Sequence, residues 1–146
     1  MNKVCATIKT LAILSQPNVE LGRRTLLDRS YEVFPVTMMV QGAYYPNIAG
    51  SADKTALFFH GDDLRNSVNS WNGRPVSLNH PSGSESLNLP ENYEKQWLGY
   101  IFNARYEDTE SKLTADMWLD SDRAEKVVGR IRSGEEIDVS IGAYGD

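Results

Sequence analysis

The stretch from residue 96 to 119 constrains the fold more than any other. Gln96 to Tyr106 (QWLGYIFNARY) reads as a strand, and an acidic turn follows at Glu107 to Ser111. Lys112 to Leu119 is a second strand, in which Leu113, Ala115, Met117 and Leu119 alternate with Thr114, Asp116 and Trp118. A period of two gathers the apolar set on one face of a strand and scatters it around a helix. Two such runs joined by a short polar turn predict an antiparallel hairpin. A lone hairpin is marginal in water, so its apolar face needs further strands or helices against it.

The rest of the chain offers them. Residues 31–45 (YEVFPVTMMVQGAYY) are rich in β-branched and aromatic side chains. Tyr31 and Val33, then Val36, Met38 and Val40, alternate around an interruption at Pro35. Lys54 to Phe59 reads as a short strand. Asp62 to Trp71 reads as a helix with an acidic first turn, ended by Gly73. Arg74 to His80 (RPVSLNH) returns to strand, and Pro81 to Pro90 is a Ser/Gly/Pro/Asn loop. Ser121 is the expected N-cap of a helix over Asp122 to Ser133, with Ala124, Val127, Val128 and Ile131 on one face and Gly134 at its end. Ile137 to Ala143 is a last strand. Residues 1–30 are the least defined, and Met1 to Gln16 fits a helix or a strand.

The expectation is a mostly β (α+β) protein: a small antiparallel, barrel-like sheet with two or more short flanking helices. At 146 residues it is one domain, with no internal repeat.

Composition narrows the function classes. The net charge is −5, with eight Lys/Arg against six Asp/Glu over 1–80 and seven against fourteen over 81–146. A nucleic-acid binder needs a basic face, so none is expected here. Trp71, Trp97 and Trp118 read as core anchors. Cys5 is the single cysteine, which excludes an internal disulfide or a multi-Cys metal site. Near the terminus and with nothing local to lower its pKa, it is a poor nucleophile candidate. No apolar run approaches the ~18–20 residues of a membrane span. No signal-peptide cleavage site follows Met1 to Leu14, so the expected location is the cytoplasm. The two histidines, His60 and His80, match no metal-ligand spacing, and no GxGxxG or GxxxxGK[ST] loop is present; no metal and no cofactor are expected.

A serine–histidine pair is the remaining chemistry. Serine is a weak nucleophile until a neighbouring base takes its proton. His80 stands where a strand meets the long loop, and Pro81 biases it toward extended backbone. Ser140 lies in IDVSIGAYG, on the strand face opposite Val139 and Ile141, with Gly142 leaving that face bare beside it. Position 138 is aspartate, so this is not a GxSxG elbow. On spacing alone a solvated loop histidine and an ordinary strand serine describe the two residues as well.

Trp71 to Pro81 (WNGRPVSLNHP), Trp97 to Tyr106 (WLGYIFNARY) and, after a short helix, Ile137 to Tyr144 (IDVSIGAY) together resemble the tailed-phage prohead (capsid maturation) protease group. The resemblance covers roughly residues 53–146. It implies an assemblin-like β-barrel and a serine endopeptidase, with His80 as general base and Ser140 as nucleophile on neighbouring strands. Phage scaffold and major capsid protein would be the substrates, cleaved in the host cytoplasm inside the assembling prohead, with self-association compatible. In that fold the third catalytic residue and the oxyanion loop follow the serine strand. Here six residues follow Ser140, so the expected barrel lacks its C-terminal strand. The third residue stays unassigned, Asp146 or another carboxylate being candidates. Losing it can cost roughly 10⁴ in kcat, so this chain is expected to be weakly active or inactive. A non-catalytic phage structural or assembly protein with the same fold is the other reading. The loop Pro81 to Gln96 is either the rim of a substrate groove or a plain surface connection.

Overall fold

The computed structural model describes residues 4–12, 22–44, 47–48, 57–78, 94–135 and 139–145. In chain order the strands are β1 (Val4–Ala12), β2 (Gly22–Leu26), β3 (Arg29–Val40), β4 (Gly42–Tyr44), β5 (Asn47–Ile48), β6 (Leu57–Phe59), β7 (Pro75–Ser77), β8 (Trp97–Glu107), β9 (Lys112–Asp120) and β10 (Val139–Gly145). Helix α1 (Gly61–Trp71) lies between β6 and β7, and α2 (Glu125–Arg132) between β9 and β10. A helical turn at 94–96 leads into β8. Strand is the dominant element among the described residues, which settles the class as mostly β.

The expected hairpin is the centre of the largest sheet, an antiparallel array in the order β2-β3-β9-β8-β7. The pairings Phe34↔Met117 and Ile101↔Met117 put Leu113, Ala115, Met117 and Leu119 of β9 on one face with Phe34, Val36, Met39 and Ile101. That face is the core, closed by Leu64 of α1, by Ala124, and by Val128 and Ile131 of α2. The sheet does not close into a barrel: β2 and β7 form separate edges. A second sheet runs β10-β1-β5, and β4 pairs with β6. β1 packs against β3. The stretch Met1 to Gln16, open between helix and strand in sequence, contains strand β1.

Pro35 does not interrupt β3. β2 accompanies β3 only as far as the Gly22↔Val33 pair, so a proline beyond it removes no β2–β3 hydrogen bond. Two bulges shape the large sheet. One, between Thr37 and Met39, puts consecutive residues Met38 and Met39 in the core. The other falls between Phe102 and Arg105, where Asn103 has φ +51°. Its Ala104 N–H donates to Asn72 Oδ1 (2.9 Å), which fastens the end of α1 to the sheet.

The start of α2 differs from expectation. Ser121 is not its cap. Asp120 Oδ1 accepts from the N–H groups of Asp122 (3.0 Å) and Arg123 (2.9 Å), organising a turn through residue 124 before the helix begins. Its end is as expected: Gly134 (φ +83°) bonds Ile131 O and Glu135 N bonds Arg130 O, a full Schellman motif. β2 was missed in sequence because its two-residue turn carries no Asn-Gly signal. Leu27 (φ 50°) and Asp28 (φ 63°) both occupy the left-handed region, and Leu27 is 89% exposed.

Two stability predictions follow from the backbone. A Cβ at Gly99 would lie 1.7 Å from the Trp118 carbonyl oxygen, so Gly99→Ala should destabilise by about 3 kcal/mol, the upper end for overpacking. In thermal denaturation that is a Tm loss of about 10 °C. Leu27→Asn with Asp28→Gly should gain about 1 kcal/mol by relieving left-handed strain, raising Tm by about 3–4 °C. An unchanged Tm for Gly99→Ala would contradict the close approach of β8 and β9.

Candidate functional site

Ser140 lies on β10, whose alternating sequence VSIGAYG makes a two-faced strand. β10 pairs antiparallel with β1 in the register Cys5↔Tyr144, Thr7↔Gly142, Ile8↔Ile141 and Lys9↔Ser140. β5 extends the pattern, with Ile48 opposite Ala6 and Asn47 opposite Thr7. Ser140 therefore sits in the small sheet, on its β10 edge.

His80 lies outside the described residues, as do Asp146 and the loop 81–90. The strand that leads to His80 is β7, an edge of the large sheet paired with β8. β10 pairs with β1 in the other sheet. Among the described residues, the strands expected to carry base and nucleophile side by side are therefore not hydrogen-bonded neighbours. His60, the other histidine, is exposed at the N-cap of α1, makes no side-chain cap bond, and sets its ring at 4.5 Å from Phe58. Among the described residues no three His, Cys, Asp or Glu side chains gather as a metal site. No helix among them is long and apolar enough to cross a membrane.

The strongest electrostatics belong to two buried carboxylates that the sequence reading passed over. Glu32 (4% exposed) shares face with Arg23 on β2, which donates through Nη2 (2.8 Å) and Nε (3.2 Å). Arg132 of α2 approaches to 3.7 Å. The Arg23 hydrogen bonds outweigh burial and hold the Glu32 carboxyl below the usual carboxylate range. Asp120 (2% exposed) accepts from Arg29 Nη1 (3.0 Å) besides its two backbone donors. Burial pushes its carboxyl up, but the Arg123 N–H, the Arg29 guanidinium and the Asp122 N–H together bring it below the ordinary value. Arg23, Arg29, Ser121 and Asp122 line a shallow groove at the tip of the β2–β3 hairpin. Its two arginines are engaged by Glu32 and Asp120, so the groove acts as a structural clamp.

The sheet face opposite the core carries Tyr31, Trp97, Tyr100, Phe102 and Trp118, with ring centroids 4.9–6.4 Å apart. Arg29 and Arg123 stack on Trp97 at 5.5 and 5.6 Å. Two of the three tryptophans are thus members of an aromatic layer. Trp71, the third, packs against the core from α1. Burial raises the Tyr31 phenol, so it stays neutral at physiological pH.

Compared with protein-family models, with curated proteins and with solved structures, the chain matches none.

The depressed carboxyls set a pH dependence. A carboxyl whose folded pKa lies below its unfolded value of about 4 stabilises fully above that value and loses the contribution as pH falls through the folded one. Tm should hold from about pH 7 to 5 and drop below about pH 4.5. Asp120→Asn and Glu32→Gln should each lower Tm at pH 7, by on the order of 1–3 kcal/mol of stability, and flatten the acid drop. Acid curves parallel to wild type would show that these carboxyls do not carry it.

Proposed function

We propose that this chain is a serine endopeptidase of the phage head-maturation type, with Ser140 as the nucleophile and His80 as the base that the resemblance implies. The supporting observation is an order of segments. Asn79-His80-Pro81 follows β7, the β8–β9 hairpin and α2 come next, and Ser140-Ile141-Gly142 then falls within β10. A mostly antiparallel fold is what that reading needs, though no closed barrel accompanies it. Scaffold and capsid-protein segments would be the substrates, met inside the assembling prohead. The reaction is acyl transfer: the Ser140 hydroxyl attacks the scissile carbonyl, the amine leaves, and water releases the acyl group.

One observation favours a second reading, a non-catalytic phage assembly protein. β7 and β10 belong to different sheets. A single experiment separates the two. The chain is incubated with a fluorophosphonate, whose P–F bond breaks as serine Oγ bonds phosphorus, and adducts are mapped by peptide mass spectrometry. The endopeptidase reading predicts a slow, selective adduct on Ser140 that Ser140→Ala removes without changing Tm. No adduct on Ser140, or equal labelling of many serines, leaves the assembly protein as the reading.

A further inference from the structure

We infer that the face of the large sheet opposite the core binds a neutral carbohydrate, between the Phe102–Trp118 ring pair and a polar group made by Asn103, Arg105 and Asp116. The inference goes beyond the endopeptidase reading and does not depend on it. It starts from the register. Tyr100 pairs with Trp118, and Phe102 pairs with Asp116 in the next row. Directly paired residues share a face, as do residues two apart on one strand. Ala115 and Met117 of β9 point into the core, so Asp116 and Trp118 point away from it. Phe102 and Trp118 lie edge to face with centroids 4.9 Å apart, and Tyr100 is 5.9 Å from Phe102. All three rings are half-buried.

The polar group adjoins these rings and is held still. Asp116 Oδ2 accepts from Asn103 Nδ2 and its Oδ1 from Arg105 Nη1, both at 3.1 Å. The same Arg105 nitrogen donates to Asn103 O (2.9 Å), which pins the bulge between Phe102 and Arg105. Asn103 occupies the left-handed region (φ +51°) and its side chain is exposed. A bulge of this kind re-aims a side chain, and strain at a residue that is not glycine marks positions kept for more than folding. Among the described residues, Asn103 Oδ1 accepts no hydrogen bond.

The chemistry of the two parts selects the ligand. Aromatic ring faces are electron-rich and attract the weakly positive C–H hydrogens on the apolar side of a sugar ring. Vicinal hydroxyls both donate and accept, and a carboxylate, a carboxamide and a guanidinium fixed side by side offer both complements. Arg105 and Asp116 cancel in charge, so the group favours neither an anion nor a cation. A nucleic acid could also lay bases on these rings, but the chain carries a net charge of −5 and its C-terminal half is the acidic one. A neutral polyhydroxylated ligand meets the rings and the polar group with no such cost.

The test titrates the whole chain with cellohexaose, maltohexaose and chitohexaose, and with a single-stranded thymidine oligonucleotide, by calorimetry and by backbone amide shifts. At least one of the three sugars should bind with Kd below about 1 mM and move the amides of Phe102, Asn103 and Trp118. Asn103→Gly removes the carboxamide at a φ that glycine adopts freely, and Phe102→Leu keeps an apolar side chain without the ring, so both should keep the wild-type fold by circular dichroism. Each should weaken sugar binding about tenfold or more. Three outcomes overturn the inference: no sugar binds, sugar binding is unchanged in both variants, or the oligonucleotide alone binds. None of them bears on Ser140, whose labelling tests the endopeptidase reading separately.

Discussion

Burial of one face of β9 is the interaction on which the rest of the molecule depends. Leu113, Ala115 and Leu119 are wholly enclosed, between β3 on one side, β8 on the other and the two helices above. Full burial of a leucine side chain is worth roughly 1.5–3 kcal/mol, more than any surface ion pair offers. Because the side-chain period is two, a slip of one residue in either pairing would turn this face outward. The β9 pattern therefore fixes the registers of β3 and β8 as well as its own.

From β9 the consequences run along the chain. Asp120, the last residue of the strand, turns the backbone by accepting from two successive N–H groups while its second oxygen holds Arg29 at the β2–β3 turn. The turn delivers α2 onto the core. Arg132 at the end of α2 reaches toward Glu32, which Arg23 of β2 already grips. Two buried carboxylates thus tie the edge hairpin and the second helix to the central strands. Each would be costly to bury alone and is accommodated because its acceptor oxygens are occupied. The Schellman motif at Gly134 then ends the helix ahead of β10.

Much of this was legible in the sequence, for local reasons. The β8–β9 hairpin, both helices, the strand character of 31–40 and the end of α2 at Gly134 follow from period, the glycine stop and turn chemistry. What escaped depended on partners distant in the chain. β2 was hidden because its turn uses Leu27 and Asp28, neither of which signals a two-residue hairpin. β1 was ambiguous because Ala6 hides the alternation of Val4, Ala6 and Ile8 against Cys5, Thr7 and Lys9; pairing with β10 makes it plain. Asp120 looked like one more polar residue of an alternating strand, while neighbouring Ser121 offered a more familiar cap. Ser140 was found as a residue type on a two-faced strand. Its cross-strand partner was not, since nothing near position 140 points to position 9.

The functional account therefore turns on which strand lies beside β10. β10 pairs with β1, whereas pairing with β7 would set the Ser140 strand beside the one that leads to His80. The most direct measurement is the set of backbone NOEs of Ser140 in the isotopically labelled protein. Cross-strand contacts from Ser140 to Lys9, and from Gly142 to Thr7, are the predicted result. Contacts from Ser140 to residues 75–77 in their place would contradict the β10-β1-β5 sheet and put the Ser140 strand beside the one that leads to His80.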